Sequence, residues 1–378
     1  MKTINMRNLM MTGAAILAMS LPATAQDVPA GAQERGYFLL PELHEMMPEE
    51  RTKMEAFMKK VQSDTVKSDR TYDKPLKIAM MFPSLETSDA WARLNISTRA
   101  RLEEMGIPFE VTEFMIRPDE HDRQGVQIDQ VLGGDFDYVV IGPSEYQVQK
   151  SNISRLAEAL PTLVMNIVNP FVDTLGTDKQ PITHVGFDHT IGAEALCQWV
   201  IKETGGEGTF ALVRYIPGLI DSQRSDHFAE CVTANSNMTL VDEFEANGDR
   251  ELAFSGGQAL LSRHPDITML HAGNTAVALG VLSAAAERGK LDDVIINGWG
   301  GGADELKSIK DGGLKVTAFR VNDDWGVSVA EAIRAHAEGQ EVPVVLAATI
   351  KPLDYTMTAA EIDAETDYAF RYSGKLDR

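Results

Sequence analysis

The chain has 378 residues, with 56 acidic side chains against 35 lysines and arginines and a net charge of −21. That balance disfavours nucleic acid and anionic membrane surfaces as partners. The length is more than one average domain needs and suits two, each with its own core.

Lys2 and Arg7 precede an apolar run from Leu9 to Leu21 and then Ala23-Thr24-Ala25, the pattern of a secretory signal peptide over residues 1–25. The run is too short to span a bilayer, and no later segment approaches the ~20 apolar residues a span requires. The sequence therefore predicts an exported, periplasmic protein with no direct membrane insertion. Cys197 and Cys231 enter an oxidising compartment. A disulfide and two buried thiols both stay open, because sequence does not give the Cα separation. The histidines show no metal-ligand spacing, so His184 and His189, at a strand end, read as structural and no cofactor or metal is expected.

Residues 26–75 read as a helical arm, in which Pro48-Glu49-Glu50 opens a segment with Met54, Phe57, Met58 and Val61 on one face. Strands and helices then alternate. Strands are predicted at 77–82, 109–114, 138–141 and 162–167, with helices from Ser88-Asp89 to about Met105 and near 122–133 and 145–159. A loop rich in Asn, Pro, Asp and Gly follows from Asn169 to Pro181, and the pattern restarts at HVGFDH. Helices are predicted at 191–203, 225–234, 256–263 and 277–288, and strands at 209–215, 239–244, 267–271, 294–297 and 315–320. A helix over 325–337 is read as returning to the first lobe. The expectation is an α/β fold of two doubly wound parallel-sheet lobes joined by a hinge. Residues 76–168 plus about 321–346 form the first lobe; residues 169–320 plus about 347–378 form the second.

In open parallel sheets ligands bind beyond the carboxyl ends of the strands. The stretch from Val294 to Asn322 sets Trp299 and Arg320 at two such ends, with Gly300-Gly301-Gly302 between them. An indole face, a flexible backbone and a guanidinium suit a small, ring-shaped, polar ligand of anionic character. Trp91, in a helix's first turn, points to the same cleft. No Gly-x-Ser-x-Gly turn or base–nucleophile spacing is present, which favours a binding protein over an enzyme.

The strings FPSLETSDAW, VMNIVNP, HVGFDH, INGWGGGADEL, FRVNDD and AFRYS resemble the LuxP-type autoinducer-2-binding proteins of the type I periplasmic binding protein superfamily. The resemblance implies a receptor that holds a furanosyl signal, as a borate diester or a related furanose, between its lobes. It also implies a LuxQ-type inner-membrane sensor kinase as partner and a quorum-sensing role. The ligand set it implies is Ser88, Trp91, Asn166, Arg224, Thr275, Trp299 and Arg320, with Glu86 standing where the family has a glutamine. An ionised carboxylate only accepts hydrogen bonds, so Glu86 must be protonated, turned away, paired with an arginine or facing a different ligand form. The alternative function is the sugar-binding component of an ABC importer.

Several assignments stay open at this level. Arg224 and Arg320 either converge on an anion or pair locally, with Asp221 or Asp226 and with Asp323 or Asp324 respectively. Ser88 and Thr275 cap helices, contact ligand, or do both. Asn166 fixes the crossover backbone, meets the ligand, or does both.

Overall fold

The computed structural model describes residues 28–83, 88–117 and 119–374. The signal-peptide pattern and Glu86 lie outside the described residues.

The first sheet is wholly parallel and contains β1 (Leu76–Pro83), β2 (Phe109–Ile116), β3 (Tyr138–Ile141), β4 (Thr162–Met165), β5 (Thr183–Phe187) and β11 (Val345–Ala348), in the order β11-β5-β4-β3-β1-β2. Strands β3, β4 and β5 are buried along their whole length. Their complete burial suits a sheet covered on both faces. The second sheet has the order β12-β10-β9-β8-β6-β7, from β6 (Thr209–Arg214), β7 (Thr239–Glu245), β8 (Met269–Ala272), β9 (Ile295–Gly300), β10 (Val316–Arg320) and β12 (Ile350–Asp354). Only its edge strand β12 runs antiparallel, against β10.

The arm carries α1 (Ala30–Arg35), α2 (Leu40–Met46) and α3 (Pro48–Val61). The first lobe adds α4 (Ala90–Glu104), α5 (His121–Leu132), α6 (Lys150–Ala159) and α13 (Asn322–Ala337). The second adds α7 (His189–Thr204), α8 (Leu219–Asp221), α9 (His227–Asn235), α10 (Arg250–Arg263), α11 (Thr275–Glu287), α12 (Ala303–Lys310) and α14 (Ala359–Ala369). A π-turn, Ser222–Asp226, links α8 to α9.

One boundary differs from the sequence reading. The HVGFDH strand pairs with β4 and β11 and so belongs to the first sheet, not the second. The chain first changes lobe at Asp188, whose side chain caps α7 by accepting the Thr190 N–H. It returns after Arg320 and leaves again at Thr349, between β11 and β12. The polar loop after β4 stays in the first lobe, where the arm covers it. Asn169 Nδ2 donates to the Phe38 carbonyl at 2.9 Å, Tyr37 bridges to Phe171, and Phe38 and Leu43 pack with Val168 and Val345. The buried Glu50 carboxylate of the arm also accepts the Val344 N–H at 2.8 Å.

A buried ionic network fastens α3, α4 and α13. Arg101 Nε and Nη2 lie 2.9 and 2.7 Å from Glu331 Oε1, Lys60 Nζ lies 3.2 Å from Glu331 Oε2, and Arg101 Nη1 donates to the Tyr372 hydroxyl at 2.8 Å.

Cys197 on α7 and Cys231 on α9 form a disulfide, with Cα atoms 6.1 Å apart and a sequence separation of 34. The bridge thus resolves the two alternatives. By loop-closure entropy a cross-link of that span stabilises by about 3–4 kcal/mol. The Cys197→Ser/Cys231→Ser variant is expected to lose that amount in chemical denaturation, with ligand affinity retained, since neither residue lines the cleft.

Candidate ligand-binding cleft

Strand ends from both sheets face one cavity of ≈ 50 Å³, several times the ~10–15 Å³ one water needs. Ser88, Trp91, Asn166, Arg224, Thr275, Trp299 and Arg320 all line it. Seven of the eight residues singled out in the sequence are therefore brought together; Glu86 lies outside the described residues.

In the first lobe, Trp91 occupies the first turn of α4, stacked on Phe82 at 6.1 Å and tilted against Trp325 at 4.8 Å. Gly142 makes the space for its ring, since a Cβ there would lie 2.6 Å from Trp91 Cη2. Ser88 Oγ accepts the Ala90 N–H at 3.2 Å, which orders the start of the helix. Asn166 has φ +64, a left-handed backbone that asparagine tolerates better than most residues. Its carbonyl sits 3.2 Å from His189 Nε2, while its Oδ1 has no partner among the described residues.

In the second lobe, Thr275 does not cap α11. Asn274 does, accepting the Val277 N–H at 3.0 Å, and Thr275 Oγ1 instead donates to the Trp299 carbonyl at 2.8 Å, fixing the strand end that carries the indole. Glu305, fully buried, accepts the backbone N–H groups of Trp299 and Gly301 at 3.2 and 3.0 Å and so shapes the glycine turn.

Local acids do not neutralise the two arginines. Asp221 and Asp226 both pair with Arg214, at 2.7 and 2.6 Å; Asp324 pairs with Arg371 at 2.7 Å; Asp323 accepts backbone N–H groups of Tyr372 and Ser373. Among the described residues, Arg224 donates to the Gly273 carbonyl at 3.0 Å and lies 5.0 Å over the Trp299 ring, and Arg320 lies 5.2 Å over Phe187. The Nε of each has no partner among these residues. Burial, then the charge of Arg320, pushes Arg224 down to about 9. Burial likewise pushes Arg320 down to about 10, partly opposed by Glu305 and Asp89. Burial and then both arginines hold His189 well below the usual imidazole range, so it is neutral. A cavity holding this much uncompensated positive charge favours a ligand with a negative charge or several acceptor oxygens.

Gly300 has φ +122, and a Cβ on it would lie 2.5 Å from Arg320 Nη2. Gly300→Ala is expected to displace that guanidinium and lower ligand affinity at least ~10-fold, with a stability cost of about 1–3 kcal/mol from the strained backbone. Calorimetric titration beside thermal unfolding checks both.

The cavity also contains Ser144, Tyr215, Asn274 and Trp325, which the sequence reading does not single out. Applied to β3, β6 and β8, the strand-end rule leads to the first three. Trp325 gives no such signal, since it sits on a helix buried from Asn322 through Ala335.

Residues 78–341 match the family model described as a periplasmic binding protein domain. The chain belongs to the periplasmic binding proteins. Its relatives include the ribose import binding protein of Salmonella typhimurium, 29% identical over 185 residues that make up 48% of this chain and 62% of that protein. Thus the matched region spans less than two thirds of that relative. The D-ribose/D-allose-binding protein of Pseudomonas aeruginosa is 25% identical over 255 residues, 66% of this chain and 77% of its own length. Among solved structures, an ABC transporter solute-binding protein from Bacillus halodurans with bound myo-inositol superposes with a TM-score of 0.67 at 20% identity, covering 78% of this chain and 100% of that one. At that identity the likeness shows the two-lobed fold alone. These relatives are solute-binding proteins.

Proposed function

We propose that the protein is an exported sugar-binding protein whose two lobes close on one small polyhydroxylated ligand and deliver it to an importer in the inner membrane. The observation that carries this reading is the cavity itself, which takes indoles and hydrogen-bonding side chains from both lobes. Indole faces cover the apolar side of a sugar ring while amide, hydroxyl and guanidinium groups meet its oxygens. The relatives named for ribose and allose support the ligand class. The N-terminal pattern supports export, and no helix among the described residues is long and apolar enough to cross a membrane.

A second reading is favoured by one specific observation, the absence of a carboxylate partner for Arg224 or Arg320 among the described residues. An anionic furanosyl borate diester would satisfy both guanidinium groups, and the protein would then report to a sensor kinase, as the resemblance to LuxP-type receptors implies. Purifying the protein from a producing host and identifying the bound molecule by native mass spectrometry and boron NMR separates the two. A neutral sugar without boron supports the importer reading; a boron signal supports the receptor. Recovery of no small molecule, with no heat on titration of ribose, allose or borate-treated furanoses, would overturn both.

A further inference from the structure

Besides its three crossovers, the chain ties its lobes together at its C-terminal end. Helix α14 belongs to the second lobe, where Ile362, Ala369 and Phe370 join the apolar core. Within four residues of Phe370 the chain is bonded to the first lobe. The N–H groups of Tyr372 and Ser373 donate to Asp323 Oδ2 on α13 at 2.5 and 2.9 Å, and the Gly374 carbonyl accepts Arg93 Nη1 from α4 at 2.5 Å. The Arg93 guanidinium also lies 3.5 Å over the Phe370 ring. Arg93, Asp323 and the Asp324 that pairs with Arg371 are all fully buried.

Arg93 has a second connection to the other lobe. Its Nε and Nη2 donate to Asp89 Oδ2 at 3.1 and 2.9 Å, and that oxygen also accepts the Ala303 N–H at 3.3 Å, at the start of α12. A carboxylate is favoured at that end of a helix. Gly302 permits the approach, since a Cβ there would lie 2.6 Å from Asp89 Oδ1. Asp89 directly follows cavity-lining Ser88, and Gly302 is three residues beyond cavity-lining Trp299. Both halves of the contact therefore sit on segments that line the cavity.

We propose that Asp89, Arg93 and the strap Phe370–Gly374 form a latch that holds the lobes closed, even without ligand. It deepens the binding reading above and rests on it only in requiring that the lobes open to load. A residue spans at most ~3.6 Å of extended chain. The strap therefore has little slack to follow the first lobe while Phe370 stays in the second lobe's core. Opening removes Ala303 from Asp89 and draws the strap from Arg93, which keeps Asp89, and from the buried Asp323 carboxylate, which is costly to leave without its donors. The latch thus biases the equilibrium toward the closed state, and the ligand needs to supply only the remainder.

The test uses spin labels at Val126→Cys on α5 and Leu252→Cys on α10, both exposed, and pulsed-dipolar distance measurement on ligand-stripped protein. The unmodified strap should give one short-distance population. The chain truncated after Phe370 should add a longer-distance population, raising the open fraction several-fold. Should the truncated chain fail to fold, Arg371→Ala/Ser373→Pro breaks two strap contacts without touching either core and is expected to shift the distribution the same way. A distribution already open with the strap intact, or one unchanged in the variants, overturns the latch. Neither result bears on the bound molecule recovered from the host, so failure of the latch is distinguishable from failure of the ligand reading.

Discussion

Arg320→Met should abolish tight binding and at the same time make the ligand-free protein harder to unfold. The two effects have opposite signs because the same charge serves the ligand and strains the empty cavity. Burial places both guanidinium groups in a poor solvent, and Arg320 further depresses Arg224. Both folded values, about 9 and about 10, lie below the ordinary one. The folded, ligand-free state therefore carries the cost of holding two buried charges at neutral pH, where arginine stays charged. Removing one charge removes part of that cost. Binding moves the other way, because a buried charge-assisted contact is worth at least ~2 kcal/mol, roughly thirtyfold in affinity. Urea denaturation without ligand, set beside titration with the molecule recovered from the host, reads both; unchanged affinity in Arg320→Met would remove the guanidinium from the binding account.

Arg101→Met should produce the largest loss of stability from one substitution. It strips the fully buried Glu331 of its closest partner, at 2.7 Å, and leaves Lys60 at 3.2 Å as the nearest remaining cation. Breaking a buried pair from one side costs about 3–5 kcal/mol, whereas replacing both partners with apolar groups is often neutral. Arg101→Met/Glu331→Leu should therefore recover most of the loss. A single variant within ~0.5 kcal/mol of the parent in denaturant titration would show that the network contributes little.

The cleft was more legible in the sequence than the lobe boundaries, for a physical reason. A strand end followed by glycine or a polar residue marks a place where a side chain can reach ligand, so Trp299 and Arg320 were readable from local pattern. Which sheet a buried strand joins is a long-range pairing that periodicity does not encode. For that reason HVGFDH, after a polar loop resembling a linker, reads as the second lobe although β5 pairs with β4. The true crossover, at Asp188, looks like an ordinary helix cap. Short elements also escape: β11 and β12 are separated by the single residue Thr349, yet they lie in different sheets. The disulfide needed a Cα distance, and the partners of Asp221 and Asp226 needed the position of Arg214 in space.

The place of β11 also constrains the order in which the protein folds as the chain is made. By Arg320 the second sheet has five of its six strands. The first sheet began far earlier, yet it lacks its edge until Val345–Ala348 arrives, and the arm that packs on that edge has waited since the start of the chain. Domains generally fold as units, and exposed apolar surface with an unpaired strand edge is aggregation-prone. The half of the molecule that is made first is therefore finished late, and its vulnerable interval falls between synthesis of β5 and synthesis of β11.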